Sequence, residues 1–506
     1  MKIHFLKIIA ALSFLFCLIY FLKDINLPFV GPFGNNNATY SIQAKNYQKY
    51  GLLNTKFGPV NRKVGERFEY YLHHPPLLQL STLLSYTLFG FENFWPGRFF
   101  PVLLTLASVL LLFLISKRIW GEKEGYLTLI LASLCPFLLS FGKLIQFEPW
   151  VLFFSLVFVF LWEKEFAFKT FLLFFTTVFG SLSDWTFFLF LFSFFIIYKD
   201  KKQVKYLLTS LVTLLLFLTY VSFLVGFKEL TTAYLVRSLG NEFLGKEYPF
   251  LKLFILTLIR IFIYFSPLAF LPIFYLVKEK IKKEVFVFLV FGILNIVLFL
   301  NGTFAHPYWL YYLSPFFILT LSRSSVILFE NKKRYFRLFF CFSFALNLVF
   351  CLLVISYKDK QVKKSLWQNN FIDEITPLIG TEKIGVNWDF NEELFRYKTG
   401  LPIKIYWSEE EIKNDALEGK WRFFVFSCYA NCSSKDRQIG NFLSEKFEVS
   451  HIEKEGRAFL FDLYKKNEEG QGSFPNSSFN SPPSTTRKGL TNYYRKLRDF
   501  LEVNQI

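Results

Sequence analysis

Apolar stretches long enough to cross a bilayer recur from the N-terminus to about residue 356. This recurrence constrains the fold more than any motif does. A membrane core of roughly 30 Å asks for about 20 apolar residues per helix, and a soluble protein could not bury so many of them. The composition agrees: 53% of the 506 residues are hydrophobic, 70 are Phe, and the mean hydropathy is +0.34. About eleven spans are predicted, beginning near Phe5, Phe99, Tyr126, Trp150, Thr170, Thr186, Tyr206, Leu251, Val285, Trp309 and Leu338. The first, Phe5 to Leu22, lacks a small-residue cleavage site and is followed by further spans. It therefore reads as a retained anchor rather than a signal peptide.

The net charge of +18 invites a nucleic-acid partner, but its distribution argues against one. The basic residues sit in short loops between apolar helices. Lys117, Arg118 and Lys123 form one cluster, and Lys199, Lys201, Lys202 and Lys205 a second. Lys278, Lys280, Lys282 and Lys283 form a third, and Lys332, Lys333, Arg334 and Arg337 a fourth. The alternate loops are nearly free of positive charge. The positive-inside rule then places the N-terminus in the cytoplasm and the tail from Ser356 outside. The apolar run Leu77 to Phe89 is short, and counting it as a span would invert every later loop. It is expected to lie flat on the outer surface as an interfacial helix.

The expected fold is an α-helical integral membrane protein with about eleven spans, a long external first loop and a small external α/β domain at the C-terminus. The membrane module covers 1–356 and the external domain 357–467; the tail 468–506 is disordered and basic. Within the domain, Lys383 to Trp388, Ile403 to Trp407, Arg422 to Ser427 and Ala458 to Tyr464 read as strands. Asn391 to Lys398, Glu409 to Glu418 and Asp436 to Lys446 read as helices, which suggests a largely parallel sheet. Residues 468–486 are rich in Ser, Pro, Asn and Gly, and Arg487 to Arg498 is a basic segment able to re-form a helix. Cys428 and Cys432 flank a tight loop, where a disulfide is plausible in an oxidising compartment. The other cysteines lie in apolar spans as small hydrophobes.

Topology then gathers the unusual polar groups on one face. The long first loop, Lys23 to Gly97, holds Asn36, Tyr40, Glu66, Glu69 and the corner His73-His74-Pro75-Pro76-Leu77. Proline removes backbone donors and fixes φ, so this corner cannot be absorbed into a helix interior. Its plainer reading is a helix start opened by Pro75 and Pro76. The second loop holds Lys143 and Glu148, the third is the tight turn Asp184-Trp185, and the fourth holds His306 and Tyr308. Carboxylates at span ends are costly without partners or water, although helix N-termini also favour them. Tyr308, Trp309, Tyr311 and Tyr312 read as an interfacial aromatic belt or as a sugar platform.

These residues resemble the polytopic GT-C glycosyltransferases, and in particular the bacterial branch related to protein O-mannosyltransferases and the lipid A aminoarabinose transferase (glycosyltransferase family 39-like). Over residues 1–330 the matching features run in order. They are Asn37-Ala38-Thr39-Tyr40-Ser41 with Ile42 to Tyr47 after the first span, the HHPPL corner, and an amphipathic run ending Leu88-Phe89-Gly90. Then come Gly97-Arg98-Phe99-Phe100-Pro101, Lys117-Arg118-Ile119-Trp120-Gly121, Phe141-Gly142-Lys143-Leu144 with Glu148, and Asp184-Trp185.

The resemblance implies transfer of a sugar from a polyprenyl-phosphate donor to a lipid, glycan or protein acceptor. The setting would be a bacterial cytoplasmic membrane, with the site and tail outside. It implies Glu148 as base or metal ligand. Lys143, Arg98, His73 and His74 would recognise phosphate, and Tyr40, Asp184, His306 and Tyr308 would contact substrate. A divalent metal ion is a possible cofactor. In one respect the chain departs from the family. Many members carry an acid, often an Asp-Glu pair, where this chain has Asn36 and Asn37. An amide cannot act as a general base at neutral pH. Either Glu148, Glu66 or Glu69 takes that role, or the chemistry differs. Two rivals follow: a lipid-linked-glycan flippase, which should place charges mid-span, and a GT-C-like scaffold that has lost catalysis.

Overall fold

Helices begin within five residues of each of the eleven expected starts. The protein is described here from a computed structural model. It describes residues 3–71, 73–228, 230–231, 250–265, 279–299, 302–303, 306–330, 334–387, 390–406, 408–418, 420–427, 434–454 and 457–466. Cys428, Cys432 and the whole stretch 468–506 lie outside the described residues. Four helical segments are long and apolar enough to cross a membrane: Ile3–Leu22, Trp95–Trp120, Lys201–Val225 and Pro307–Glu330. Five shorter apolar helices accompany them, Leu77–Phe89 among them. The chain divides into two compact units, one holding the described residues of 1–27 and 43–359, the other those of 28–42 and 360–466.

The first unit is helical. Its elements are α1 (Ile3–Leu22), the C-terminal part of α2 (Gly34–Tyr50), a hairpin of β1 (Val60–Val64) and β2 (Arg67–Tyr70), α3 (Leu77–Phe89), α4 (Trp95–Trp120), α5 (Glu122–Ser133), α6 (Pro136–Phe141), α7 (Glu148–Trp162), α8 (Lys169–Ser183), α9 (Thr186–Tyr198), α10 (Val204–Val225), α11 (Phe250–Phe265), α12 (Lys283–Leu298), a 3₁₀ turn (Pro307–Leu313), α13 (Ser314–Glu330) and the start of α14 (Arg334–Ile379). Phenylalanine supplies much of the packing, edge to face as ring quadrupoles favour. Phe158 meets Phe194 at 5.1 Å and 84°, and Phe137 meets Tyr311 at 5.2 Å and 61°.

The basic loops meet at one end of this unit. Lys123 pairs with Glu330 at 2.6 Å, Arg323 bridges Glu124 and Glu279, and Lys283 lies 5.5 Å over the Tyr198 ring. Arg118 donates to the Phe160 carbonyl at 2.8 Å. The alternation of charge along the sequence is thus realised as a clustering in space.

The hairpin was not expected from the sequence. Gly65, at φ +58°, opens its two-residue turn, where an L-residue would be strained. α3 has the bounds the sequence suggested. Its 13 residues span about 20 Å at 1.5 Å per residue, short of a bilayer. Gln79, Ser81, Thr82 and Ser85 are buried while Leu84, Leu88 and Phe89 are exposed. That reversal of the water-soluble pattern suits a helix whose outer face meets lipid.

In the second unit a five-stranded sheet runs in the order β4 (Ile403–Tyr406), β3 (Ile384–Asn387), β5 (Phe423–Ser427), β7 (Ala458–Lys466), β6 (Phe447–Ile452). Only β3–β4 and β3–β5 are parallel; β5–β7 and β6–β7 are antiparallel, so the sheet is mixed rather than largely parallel. The unforeseen strand is β6. It alternates polar and apolar residues and follows directly on the helix Ser434–Lys446, with no turn residue to announce it. Phe424, Phe426, Phe459, Phe461 and Leu443 form the core on one side of the sheet.

Asp415 ties this domain together. Its side chain is 8% exposed and accepts hydrogen bonds from Lys404, Tyr406, Lys420 and Trp421. Burial opposes its ionisation, but these donors outweigh burial and hold its carboxyl well below the usual carboxylate range. A carboxylate depressed in the folded state stabilises that state above its unfolded pKa of about 4, and the contribution is lost as pH falls below that value. Asp415→Asn should therefore destabilise the domain by about 1–3 kcal/mol at pH 7. The difference from the parent should shrink under strong acid. Faster hydrogen exchange at the β4 amides of the full chain is the readout, and unchanged exchange at pH 7 would count against this role.

Candidate active site

The end of the helical unit opposite in loop order to the basic clusters carries the candidate site. Pro75 and Pro76 stop the preceding chain, and α3 starts behind them with Leu80 donating to the Pro76 carbonyl. That stop leaves His74 at a fixed corner. Its Nδ1 lies 3.0 Å from Asp184 Oδ1, and the two side chains are 7% and 3% exposed. An ionised carboxylate only accepts, so Nδ1 carries the proton and Nε2 is the ring's other working atom.

Asp184 stands in extended backbone where α8 ends and α9 begins, so its carboxylate leaves the helical path. Thr186 donates to Asp184 Oδ2 at 2.9 Å, and its oxygen lies 3.1 Å from the Tyr312 hydroxyl. A continuous chain Tyr312–Thr186–Asp184–His74 results. It joins the 3₁₀ turn, the α8–α9 break and the first loop.

His74 also stacks on Phe147, with ring centroids 4.1 Å apart and planes at 21°. Phe147 in turn lies parallel to Tyr71, whose edge meets His73 at 5.2 Å. The next residue, Glu148, opens α7 and is 4% exposed. The helix N-terminus favours its negative charge. Tyr311 and Tyr312 lie within its electrostatic reach. Tyr311 is 3.3 Å from Thr105 Oγ1, which donates to the Gly142 carbonyl at 3.1 Å. Gly142 is required here because a Cβ would stand 2.7 Å from both Phe21 and Thr105. The loop to Glu148 is thereby held tightly against α1 and α4.

Other predicted residues fall elsewhere. Lys143 donates to the Lys23 carbonyl at 3.1 Å, lies 4.8 Å over Tyr20 and has Arg98, Asp359 and Asp24 as electrostatic neighbours. Burial, with Arg98 second, pushes its ammonium down to about 8. Arg98 donates to the carbonyls of Ile25 and Leu27 at 2.6 and 2.5 Å, so part of its guanidinium holds the chain after α1. Of the three carboxylates proposed as base, only Glu148 is buried. Glu66 is exposed at the hairpin turn, and Glu69 pairs with Arg62 across the two strands. Asn36 and Tyr40 belong to the second unit, as does Asn37. His306 stacks on Tyr308 at 5.0 Å, and Tyr308 lies 6.2 Å from Phe141.

Sequence reasoning missed several members. Thr186 was visible only as a small polar residue two positions after Asp184. Gln43 and Gln79 are both fully buried, and Gln79 donates to Gln43, which donates to Asn61. Arg260, fully buried inside α11, donates to the Thr303 carbonyl at 2.6 Å. A charge within a span is costly and marks a functional path more often than not. Among the described residues no three His, Cys, Asp or Glu side chains come together as a metal site. The donors present do not fit a resident divalent ion, and no step below is routed through one.

Residues 73–223 match the model of the dolichyl-phosphate-mannose-protein mannosyltransferase family. That stretch contains His73, His74, Arg98, Lys143, Glu148 and Asp184. No curated protein sequence matches the chain. The fold is that of ArnT from Cupriavidus metallidurans. The apo form superposes with a TM-score of 0.56 at 11% identity, over 90% of this chain and 97% of that one. The form bound to undecaprenyl phosphate gives 0.58 at 13% identity, over 92% and 99%. The archaeal oligosaccharyltransferase AglB from Archaeoglobus fulgidus, in complex with an inhibitory peptide and a dolichol-phosphate, gives 0.54 at 11% identity, over 90% and 74%. The resemblance to polytopic GT-C glycosyltransferases therefore stands.

The His74–Asp184 pair yields a stability prediction. Asp184→Asn keeps the shape but removes the charge-assisted hydrogen bond. We expect a loss of about 1–3 kcal/mol, read as a lower denaturation midpoint in detergent. Thr186→Val should lower it less, since Asp184 keeps its histidine partner. An unchanged midpoint in Asp184→Asn would show that the pair does not hold the corner.

Proposed function

We propose that this protein is a membrane glycosyltransferase that moves a sugar from a polyprenyl-phosphate donor to an acceptor on the external face of the membrane. The observation that carries the reading is the buried Glu148 beside the His74–Asp184 pair, at one end of a GT-C-type helical unit. The donor explains why a transferase needs a membrane: its lipid lies in the bilayer while its phosphate and sugar meet the loops. ArnT of this fold binds undecaprenyl phosphate and AglB binds a dolichol-phosphate, which supports a lipid-phosphate donor.

The chemistry is a displacement at the anomeric carbon. An acceptor hydroxyl oxygen forms the new bond to that carbon, and the bond from the carbon to the phosphate oxygen breaks. The electron pair leaves with the polyprenyl phosphate, and the hydroxyl proton passes to Glu148. General base catalysis asks for a carboxylate that is buried, ionised and close to the hydroxyl. Glu148 satisfies burial, and its helix N-terminus supports ionisation. His74, held by Asp184, offers its Nε2 side to the leaving phosphate, where a donor or a positive charge stabilises the developing anion. Lys143 is the second cation we assign to phosphate recognition. The acceptor, whether lipid, glycan or protein, is left to the exposed loops and the α/β domain.

The flippase alternative would draw on Arg260, the buried mid-helix charge. Its hydrogen bond to the Thr303 carbonyl, next to the 3₁₀ turn that carries Tyr311 and Tyr312, favours support of the site instead. The test is transfer of labelled sugar by purified protein in lipid. Glu148→Gln should lower turnover by about 10²–10⁴-fold while the protein still inserts. Lys143→Ala should weaken donor binding more than turnover. Near-normal turnover of Glu148→Gln would overturn the assignment. A parent protein that transfers nothing, with transfer restored by Asn36→Asp, would favour the scaffold that has lost catalysis.

A further inference from the structure

Gln146 sits in the short loop between α6 and α7, two residues before Glu148 and directly before Phe147, the ring that stacks on His74. Its side chain is 2% exposed, and its Nε2 has no hydrogen-bond acceptor among the described residues. A buried amide donor left unmade costs about 1–3 kcal/mol, and native proteins keep few of them without cause. The loop around it is closely packed: Ile145 is fully buried, Phe147 is 3% exposed and Gly142 tolerates no Cβ. Gln146 therefore cannot turn outward to water without disturbing the loop that carries Glu148.

From this geometry we infer that Gln146 contacts the substrate, donating its amide N–H to a hydroxyl oxygen of the transferred sugar. The inference rests on the transferase reading and adds a specificity-determining residue to it. A neutral amide suits a neutral hydroxyl, whereas the phosphate has cations at His74 and Lys143. A site built to hydrogen-bond a hydroxyl discriminates against an analogue lacking it, because the donor is then left buried and unpaired. Gln146 would thus make the enzyme read the sugar, with Glu148 handling the proton of the acceptor.

The discriminating variant is Gln146→Met, which keeps the volume and removes the donor, with Gln146→Leu as a second apolar replacement. Removing an unmade buried donor does not destabilise, so the denaturation midpoint should stay level or rise. Binding of unsugared undecaprenyl phosphate should stay within about threefold of the parent. The specificity constant for transfer from a polyprenyl-phosphate sugar should fall by about 10–100-fold, the range of one lost hydrogen bond of about 1.4–3 kcal/mol. A clear drop in midpoint for both variants would overturn the inference, since Gln146 would then hold the fold. Equal loss of undecaprenyl phosphate binding would move the contact to the phosphate and overturn the sugar assignment. Unchanged transfer by a stable variant would overturn it outright. Absence of transfer by the parent protein sinks the transferase reading, and with it the substrate assigned to Gln146.

Discussion

The site depends on one buried pair, His74 with Asp184. Two ionisable side chains taken out of water are costly, and their attraction offsets that cost only when geometry and further hydrogen bonds are good. Here the geometry is supplied from three directions. Pro75 and Pro76 fix the corner that presents the imidazole, the extended residue between α8 and α9 presents the carboxylate, and Thr186 satisfies its second oxygen. The pair therefore fastens the first loop, which is polar and distant in sequence, to the helical unit. Without it the loop would have only the hairpin and the amide chain Gln79–Gln43–Asn61 to hold its place.

Glu148 draws its setting from the same fastening. Phe147 is clamped between His74 and Tyr71, and the residue after it opens α7. An aromatic stack thus sets the position of the carboxylate next along the chain. Tyr311 and Tyr312 approach from the 3₁₀ turn. The aromatic residues at this turn are buried, so they act as packing around the site more than as an interfacial belt. Lys143 and Arg98 form a separate cationic group with Lys23 and Asp359. Charge for a phosphate and the carboxylate for a proton are thereby supplied by different parts of the same loop system.

Much of this was legible in the sequence because it follows from local rules. Apolar length marks each helix, Pro75 and Pro76 mark the start of α3, and the alternation of basic loops marks which loops meet. The candidate residues His74, Glu148 and Asp184 were visible as charged or titratable groups at helix boundaries. What they do to one another was not, because 110 residues separate His74 from Asp184. Glu66 and Glu69 look equivalent to Glu148 in sequence; only burial separates them. The short hairpin and β6 escaped because each is a short polar strand whose partner, rather than its composition, makes it a strand.

The sequence by itself determined that the chain is a multi-helix membrane protein with a small α/β domain, since hydrophobic length and charge alternation are properties of contiguous residues. It also determined which groups were chemically able to serve. Tertiary structure alone decided that Asp184 belongs to His74, that Thr186 links both to Tyr312, that the sheet is half antiparallel, and that Gln146 points an unmade donor into a closed loop. Those facts are contacts between distant segments. Their energies depend on burial and distance, which no local pattern encodes.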